Sequence, residues 1–164
     1  MAGLRQRAPM AKPDCISCTT VPGGCSAVGS ANSAGGDFEE PERHGLIGAL
    51  AGLIDAGRIK VYTVDSVAGQ HWISRRHSPQ YCSRVQNLFD AYVYEEVVPL
   101  IRSDCATHDL EIVTAGASYG ALFAVASLCR HPDAFRFALG MSGTYDLSGY
   151  LGGRWNDDFY YSSP

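Results

Sequence analysis

The sequence predicts an α/β fold in which a mostly parallel sheet is flanked by helices. Three observations carry that prediction. From Gly45 to Gly143 the chain alternates helix, strand, helix, strand, helix, strand, the order that sets parallel strands side by side with crossover helices on their faces. The strand runs are short and rich in β-branched residues, whereas the runs between them repeat their apolar residues at helical spacing. The second strand runs into Gly116-Ala117-Ser118-Tyr119-Gly120, and an apolar periodic run follows directly, so strand and helix meet at one serine between glycines.

The first 36 residues stand apart. Ser17 to Gly36 is a run of small residues and turn formers with neither strand alternation nor a helical stripe. Residues 1–36 are therefore expected to be a poorly structured segment ahead of a domain spanning 37–164. GLIGALAGLIDAG, from Gly45, reads as a short apolar helix with Gly57 as its C-cap. Arg58 to Asp65, RIKVYTVD, reads as a strand, and Ser66 to His77 as a loop. Ser78-Pro79 suits a helix start, with the proline in the first turn. The helix from there to about Arg102 places Val85, Leu88, Phe89, Tyr92, Val93, Val97 and Leu100 on one stripe, and Pro99 should end or bend it. Leu110 to Ala115 is the second strand. Ser118 opens a helix that runs to about Arg130 and stops at His131-Pro132. Arg136 to Gly143 is the third strand, expected at an exposed sheet edge that favours pairing with another chain, as in a homo-oligomer.

Composition narrows the function. With 46% hydrophobic and 18% charged residues in 164, the chain is long enough for one domain with a core. Net charge is −4 and the densest basic spot is only Arg75-Arg76-His77, so a nucleic-acid partner is not expected. No apolar run is long enough to cross a bilayer, and no apolar stretch follows the basic N-terminus, so neither a membrane span nor a secretory signal is expected and the location is read as cytoplasmic. The cysteines at 15, 18, 25, 82, 105 and 129 are accordingly read as reduced thiols. Cys15 and Cys18 have a C-x-x-C spacing, but no second pair follows at a familiar distance, so no metal site is expected. No glycine-rich segment ends in Gly-Lys-Ser/Thr, and no cofactor is implied.

The serine is the sharpest feature. In a G-x-S-x-G turn the small neighbours let strand and helix approach closely, and the turn lifts the serine oxygen clear of the sheet. The helix that follows aims its N–H groups and its positive end at the same point. The Tyr119 N–H can then donate to an oxyanion. The plainer alternative is that Ser118 only caps a helix after a tight turn.

From about Gly35 to Pro164 the chain resembles the esterase family of the α/β-hydrolase superfamily, the group that contains S-formylglutathione hydrolase (esterase D), enterochelin esterase and the mycolyltransferases. The resembling pieces are AGRIKVYTVDS, AYVYEEVVPLIRS, TAGASYGA, LCRHPDAF and LGMSGTYDL, in that order. The resemblance implies a partial α/β-hydrolase fold with Ser118 as nucleophile and the Tyr119 N–H as one oxyanion donor. It places the second donor in SAGGDFEE, near Gly35, Gly36 and Asp37, with Gly36 as the candidate. It also implies a small-molecule ester or thioester substrate.

The chain departs from that family twice. The apolar strand expected before SAGG is replaced by CSAVGSANS. The family order is serine, acid, histidine, yet the only histidine after Ser118 is His131. A helix rises about 1.5 Å per residue, so His131 lies on the order of 20 Å from Ser118 and serves as a helix-end cation or cap instead. His44, His71, His77 and His108 precede the serine and read as surface residues, although His71 and His77 lie in a loop at the right end of the sheet. Asp146 is the one candidate acid, and its plainer reading is a turn residue or N-cap. Asp65 is read as structural or as shaping the site. Trp72 and Trp155 could line an acyl pocket or simply pack. The chain is thus expected to be a truncated serine esterase that lacks the acid and histidine of its triad. The alternatives are an inactive hydrolase-like binding module, or a fragment that does not fold alone.

Overall fold

A computed structural model describes residues 16–18, 26–31, 33, 35–106, 109–147 and 149. Five strands form one sheet: β1 (Ile16–Cys18), β2 (Ser26–Ala31), β3 (Ile59–Val64), β4 (Glu111–Ala117) and β5 (Phe135–Met141), in the order β1-β3-β2-β4-β5. Only β1 runs antiparallel to its neighbour; the other pairs are parallel. The expected strands at 58–65, 110–115 and 136–143 appear as β3, β4 and β5, each shifted by a residue or two at its ends. β5 lies at the end of the described order.

Two expectations are corrected. The stretch CSAVGSANS, expected to lack a strand, contains β2, and β2 is central. All six of its residues pair with β3 on one side and β4 on the other. Main-chain ladders do not need large apolar side chains, and a strand held on both edges tolerates Ser, Ala and Gly. The expected loop 66–77 contains a helix, α3 (Val67–Ser74), which buries Ala68, Gly69 and Trp72. Its burial of one tryptophan against the elements around it, and not any sequence period, makes it a helix.

The remaining helices are α1 (Glu40–Arg43), α2 (Leu46–Asp55), α4 (Pro79–Tyr92), α5 (Val98–Asp104) and α6 (Tyr119–Arg130). The Ser78 side chain accepts the Tyr81 N–H at 3.2 Å, the expected cap of α4. Between α4 and α5 lies a π-turn, Val93–Val97. Pro99 has no N–H to give, and in an uninterrupted helix its ring would crowd the carbonyl of residue 95. The wider turn lets the chain continue with Pro99 in the first turn of α5, where the missing N–H matters little. The extra residue rotates the stripe beyond it, so Val97, Val98 and Ile101 face inward while Leu100, expected inside, is exposed; Leu88, also expected inside, lies before the π-turn and is exposed as well.

The chain passes from β2 to β3 in one direction across the sheet, and from β3 to β4 and β5 in the other. Right-handed crossovers therefore put α1–α2 on one face and α3–α6 on the opposite face. On that second face Tyr62, Phe89, Ile101, Ile112, Phe123 and Phe135 share one core. Lys60 and Tyr62 of β3 both bond Asp104 Oδ2, at 3.1 and 2.5 Å, and tie the sheet to the end of α5. On the α1–α2 side, Phe137, Leu139 and Met141 of β5 form an exposed apolar row.

Candidate active site

β2 leads toward β3 and β4 leads toward β5, so the connections leave the sheet on opposite sides of the β2–β4 pair. In open parallel sheets such a reversal leaves a crevice at the carboxyl ends of the two strands, where ligands bind. Here Ala31 of β2 pairs with Gly116 of β4, so the segment after β2 and the turn at Ser118 open at the same place.

Ser118 occupies that turn with φ 54° and ψ −116°, a conformation that only glycine adopts without strain. Three main-chain bonds fix it. Its N–H donates to the Met141 carbonyl at 2.8 Å, and its carbonyl accepts the N–H groups of Ala121 and Thr144 at 3.2 and 3.1 Å. Gly116 and Gly120 make the turn sterically feasible, because a Cβ on Gly116 would collide with the Gly120 carbonyl. Below the turn, buried Thr114 Oγ1 donates to the Ala124 carbonyl at 2.9 Å and pins β4 to α6. Ser118 itself is exposed. Among the described residues, no histidine or carboxylate hydrogen-bonds to its side chain.

Tyr119 opens α6, so its N–H points out of the helix's positive end beside Ser118. Its ring turns inward, edge-on to Phe123 at 4.7 Å and 6.0 Å from the Trp72 ring. Packing α3 against α6 in this way brings Trp72 beneath the serine turn. The tryptophan weighed in the sequence as either pocket wall or packing packs on Tyr119 and also lines a groove.

The segment after β2 is a braced loop. Glu40 accepts both the N–H and the hydroxyl of Ser33, at 2.8 and 2.5 Å. Asp65, at the end of β3, accepts the Phe38 N–H at 2.8 Å, and the Gly36 carbonyl accepts the Ser66 N–H at 3.0 Å. Asp65 therefore joins the loops that follow β2 and β3. The Gly36 N–H is directed to the Ser33 carbonyl at 3.1 Å, so turning it toward an oxyanion requires that turn to open. Neither the Ser33–Glu40 clamp nor the Gly36 turn was legible beforehand, since both depend on β2 being a strand.

The histidines fall in separate places. His44 caps α1 and is exposed, and His108 lies outside the described residues. His131 caps α6 at the end away from Ser118, bonds Asp90 Oδ2 through Nε2 at 2.9 Å and stacks on Tyr94 at 4.1 Å. His71 Nδ1 donates to the Val67 carbonyl at 2.8 Å. His71 clusters with His77 and Tyr81, at ring separations of 5.2 and 5.6 Å. Asp146 lies exposed after β5, two residues beyond the Thr144 contact to Ser118.

Beside Trp72 a groove of about 460 Å³ opens between α3 and the start of α4. Cys82 lines it, donating weakly to the His71 carbonyl at 3.6 Å. Burial pushes this thiol's pKa above its ordinary value and keeps it in the unreactive neutral form. Among the described residues no group of His, Cys, Asp and Glu is placed to hold a metal ion, and no helix is long and apolar enough to cross a membrane. Cys15 and Cys25 lie outside the described residues.

The parallel sheet, the opposed crossovers and the strained serine between strand and helix together define an α/β-hydrolase fold. The model of the Putative esterase family matches residues 44–162, and the chain belongs to that family. No curated protein matches it. Among solved structures it is similar to MPT51 of Mycobacterium tuberculosis, with a TM-score of 0.61 and 22% identity over 84% of this chain and 49% of that one. A dienelactone hydrolase from Anabaena variabilis matches with a TM-score of 0.54 and 16% identity, over 79% of this chain and 57% of that one. An S-formylglutathione hydrolase from Staphylococcus aureus matches with a TM-score of 0.50 and 14% identity, over 85% and 51%. At these identities the likeness establishes the fold alone. The chain spans about half the length of these structures.

Proposed function

We propose that this chain carries the nucleophile of a carboxylic ester hydrolase, and that the nucleophile is Ser118. The observation that carries the reading is the backbone of Ser118, at φ 54° and ψ −116°, exposed at the crevice between β2 and β4. A serine that merely capped α6 would take an extended conformation and accept a first-turn N–H on its side-chain oxygen; Ser118 does neither. Its oxygen attacks the ester carbonyl, a base takes the proton, and the tetrahedral oxyanion forms beside the Tyr119 N–H. The alcohol or thiol leaves with that proton. Water then hydrolyses the acyl-enzyme and returns the serine.

The base must be a histidine within hydrogen-bond reach of Ser118 Oγ. His131 is held away by Asp90. His71 and His77 stand on the helix and loop next to Trp72, so they are the described histidines to replace first. Asp146 is the candidate acid on the segment that Thr144 anchors to the serine.

Hydrolysis of p-nitrophenyl acetate by the chain beside Ser118→Ala tests this reading. The wild type is expected to exceed the variant by at least an order of magnitude, because a serine assisted by a base adds to the residual catalysis that the oxyanion site and binding leave in both proteins. Equal rates at the buffer background, with both proteins folded, would remove the esterase reading.

A further inference from the structure

We propose that the groove between α3 and α4 is a carboxylate-binding subsite, so that the esters accepted at Ser118 are monoanions with the charge set away from the reacting carbonyl. The inference rests on the esterase reading for its link to Ser118, but the groove itself stands on separate observations.

The groove holds about 460 Å³, within the range of small-molecule sites, and is lined by Trp72, Arg75, His77, Pro79, Cys82 and Gly149. Its chemistry is one-sided. Arg75 and His77 supply cationic or donor groups, Trp72 and Pro79 supply apolar wall, and Cys82 is a neutral thiol. No carboxylate lines the groove among the described residues, and none pairs with Arg75 there. Arg43, Arg130 and Arg136 are paired with Asp37, Asp90 and Glu111, so their guanidinium groups are already engaged. A guanidinium offers a planar fork of donors that matches a carboxylate.

A second observation concerns the backbone. Arg75 ends α3 in the left-handed region, at φ 51° and ψ 18°. That position is usually glycine, and a side chain there carries strain. The turn directs the chain from α3 toward Ser78 and α4, and places Arg75 among the residues that line the groove.

The groove also has a structural link to the serine. Trp72 forms part of its wall and packs on the ring of Tyr119, the residue after Ser118. In the proposed complex a ligand with its carboxylate at Arg75 lies against the tryptophan that packs on Tyr119, next to the serine turn.

The test is a fluorescence titration in a Trp155→Phe background, where Trp72 is the sole tryptophan reporter. The probes are monomethyl succinate and its neutral counterpart, dimethyl succinate. The chain is expected to bind the monoanion at least tenfold more tightly, and Arg75→Ala should reduce that preference to within twofold. Arg75→Gly should lose the preference equally while melting at the same temperature or higher, because glycine suits the backbone. Loss of binding with an intact or improved fold separates recognition from a merely structural role. Equal affinity for both probes in the parent, or a preference retained in both Arg75 variants, overturns the subsite. The same titration on Ser118→Ala separates the two proposals. A preserved preference there supports the subsite whatever the outcome of the hydrolysis assay. Serine-dependent hydrolysis without any preference for the monoanion sinks the subsite and leaves the esterase reading standing.

Discussion

The two ends of α6 have opposite characters. At its start, Ser118 sits strained and exposed, with no described histidine or carboxylate on its side chain. At its end, His131 and Arg130 close on Asp90, whose side chain is only 4% exposed, with Oδ2 taking bonds of 2.9 and 3.0 Å. Tyr94 stacks on the imidazole, and its hydroxyl donates to Asp133 at 2.7 Å. That bond holds the Asp133 carboxyl below its usual range and pushes the Tyr94 hydroxyl up. A serine and a histidine thus flank one helix, yet the helix holds them apart, and the histidine pairs with an aspartate of α4. The His–Asp pair is saturated by its neighbours and locks α6 to α4; the serine is left available. The presence of triad residue types in a chain says little until their partners are known.

Substitutions at the two ends should sharpen that contrast. The largest effect on chemistry comes at the start of α6. Ser118→Gly should abolish serine-dependent turnover and raise stability by about 1 kcal/mol, because glycine relieves the strained φ. Loss of stability in that variant, measured by thermal melting, would mean that the turn is not strained. Gly116→Ala should cost roughly 1–3 kcal/mol and reduce turnover together, since its Cβ meets the Gly120 carbonyl and must push α6 from β4.

Asp90→Asn acts at the other end. It weakens two charge-assisted bonds, one of them to an arginine whose side chain is 42% exposed and can find water instead. The expected loss is about 1–2 kcal/mol by denaturant melting, with turnover at Ser118 unchanged. A large fall in turnover without loss of fold would make the two ends coupled and not independent.

A smaller effect falls on Cys82. Its pKa is raised by burial above the ordinary 9.0, so the folded state holds the thiol proton more tightly than the unfolded chain does. Its contribution is therefore fully present below about pH 9 and is lost as the pH rises through the folded value. The wild type should lose stability across that alkaline window more steeply than Cys82→Ala. In the native protein a thiol reagent should modify exposed Cys129 long before buried Cys82.

Much of this was legible in the sequence because local signals and tertiary demands agreed. RIKVYTVD and LEIVTA are β-rich runs that end up buried, and the glycines around Ser118 announce a turn that only small residues allow. β2 was hidden because Ser, Ala and Gly carry no strand signature, and only the neighbouring ladders hold it. α3 was hidden because a short helix with one buried tryptophan has no period to detect. The π-turn was half visible: Pro99 signalled a disruption but not a wider turn that continues the helix. The position of Ser118 could be read from five residues. The Gly36 turn, the Glu40 clamp and the Trp72–Tyr119 packing depend on contacts between distant segments, and no local pattern encodes them.

The central claim is that Ser118 is held ready as a nucleophile. The most direct measurement is labelling of the folded chain with a fluorophosphonate, with the adduct located by peptide mass spectrometry. The account predicts one adduct on the peptide containing Ser118, lost in Ser118→Ala and strongly slowed in Gly116→Ala. A folded chain that takes no adduct, or takes it on another serine, would contradict it.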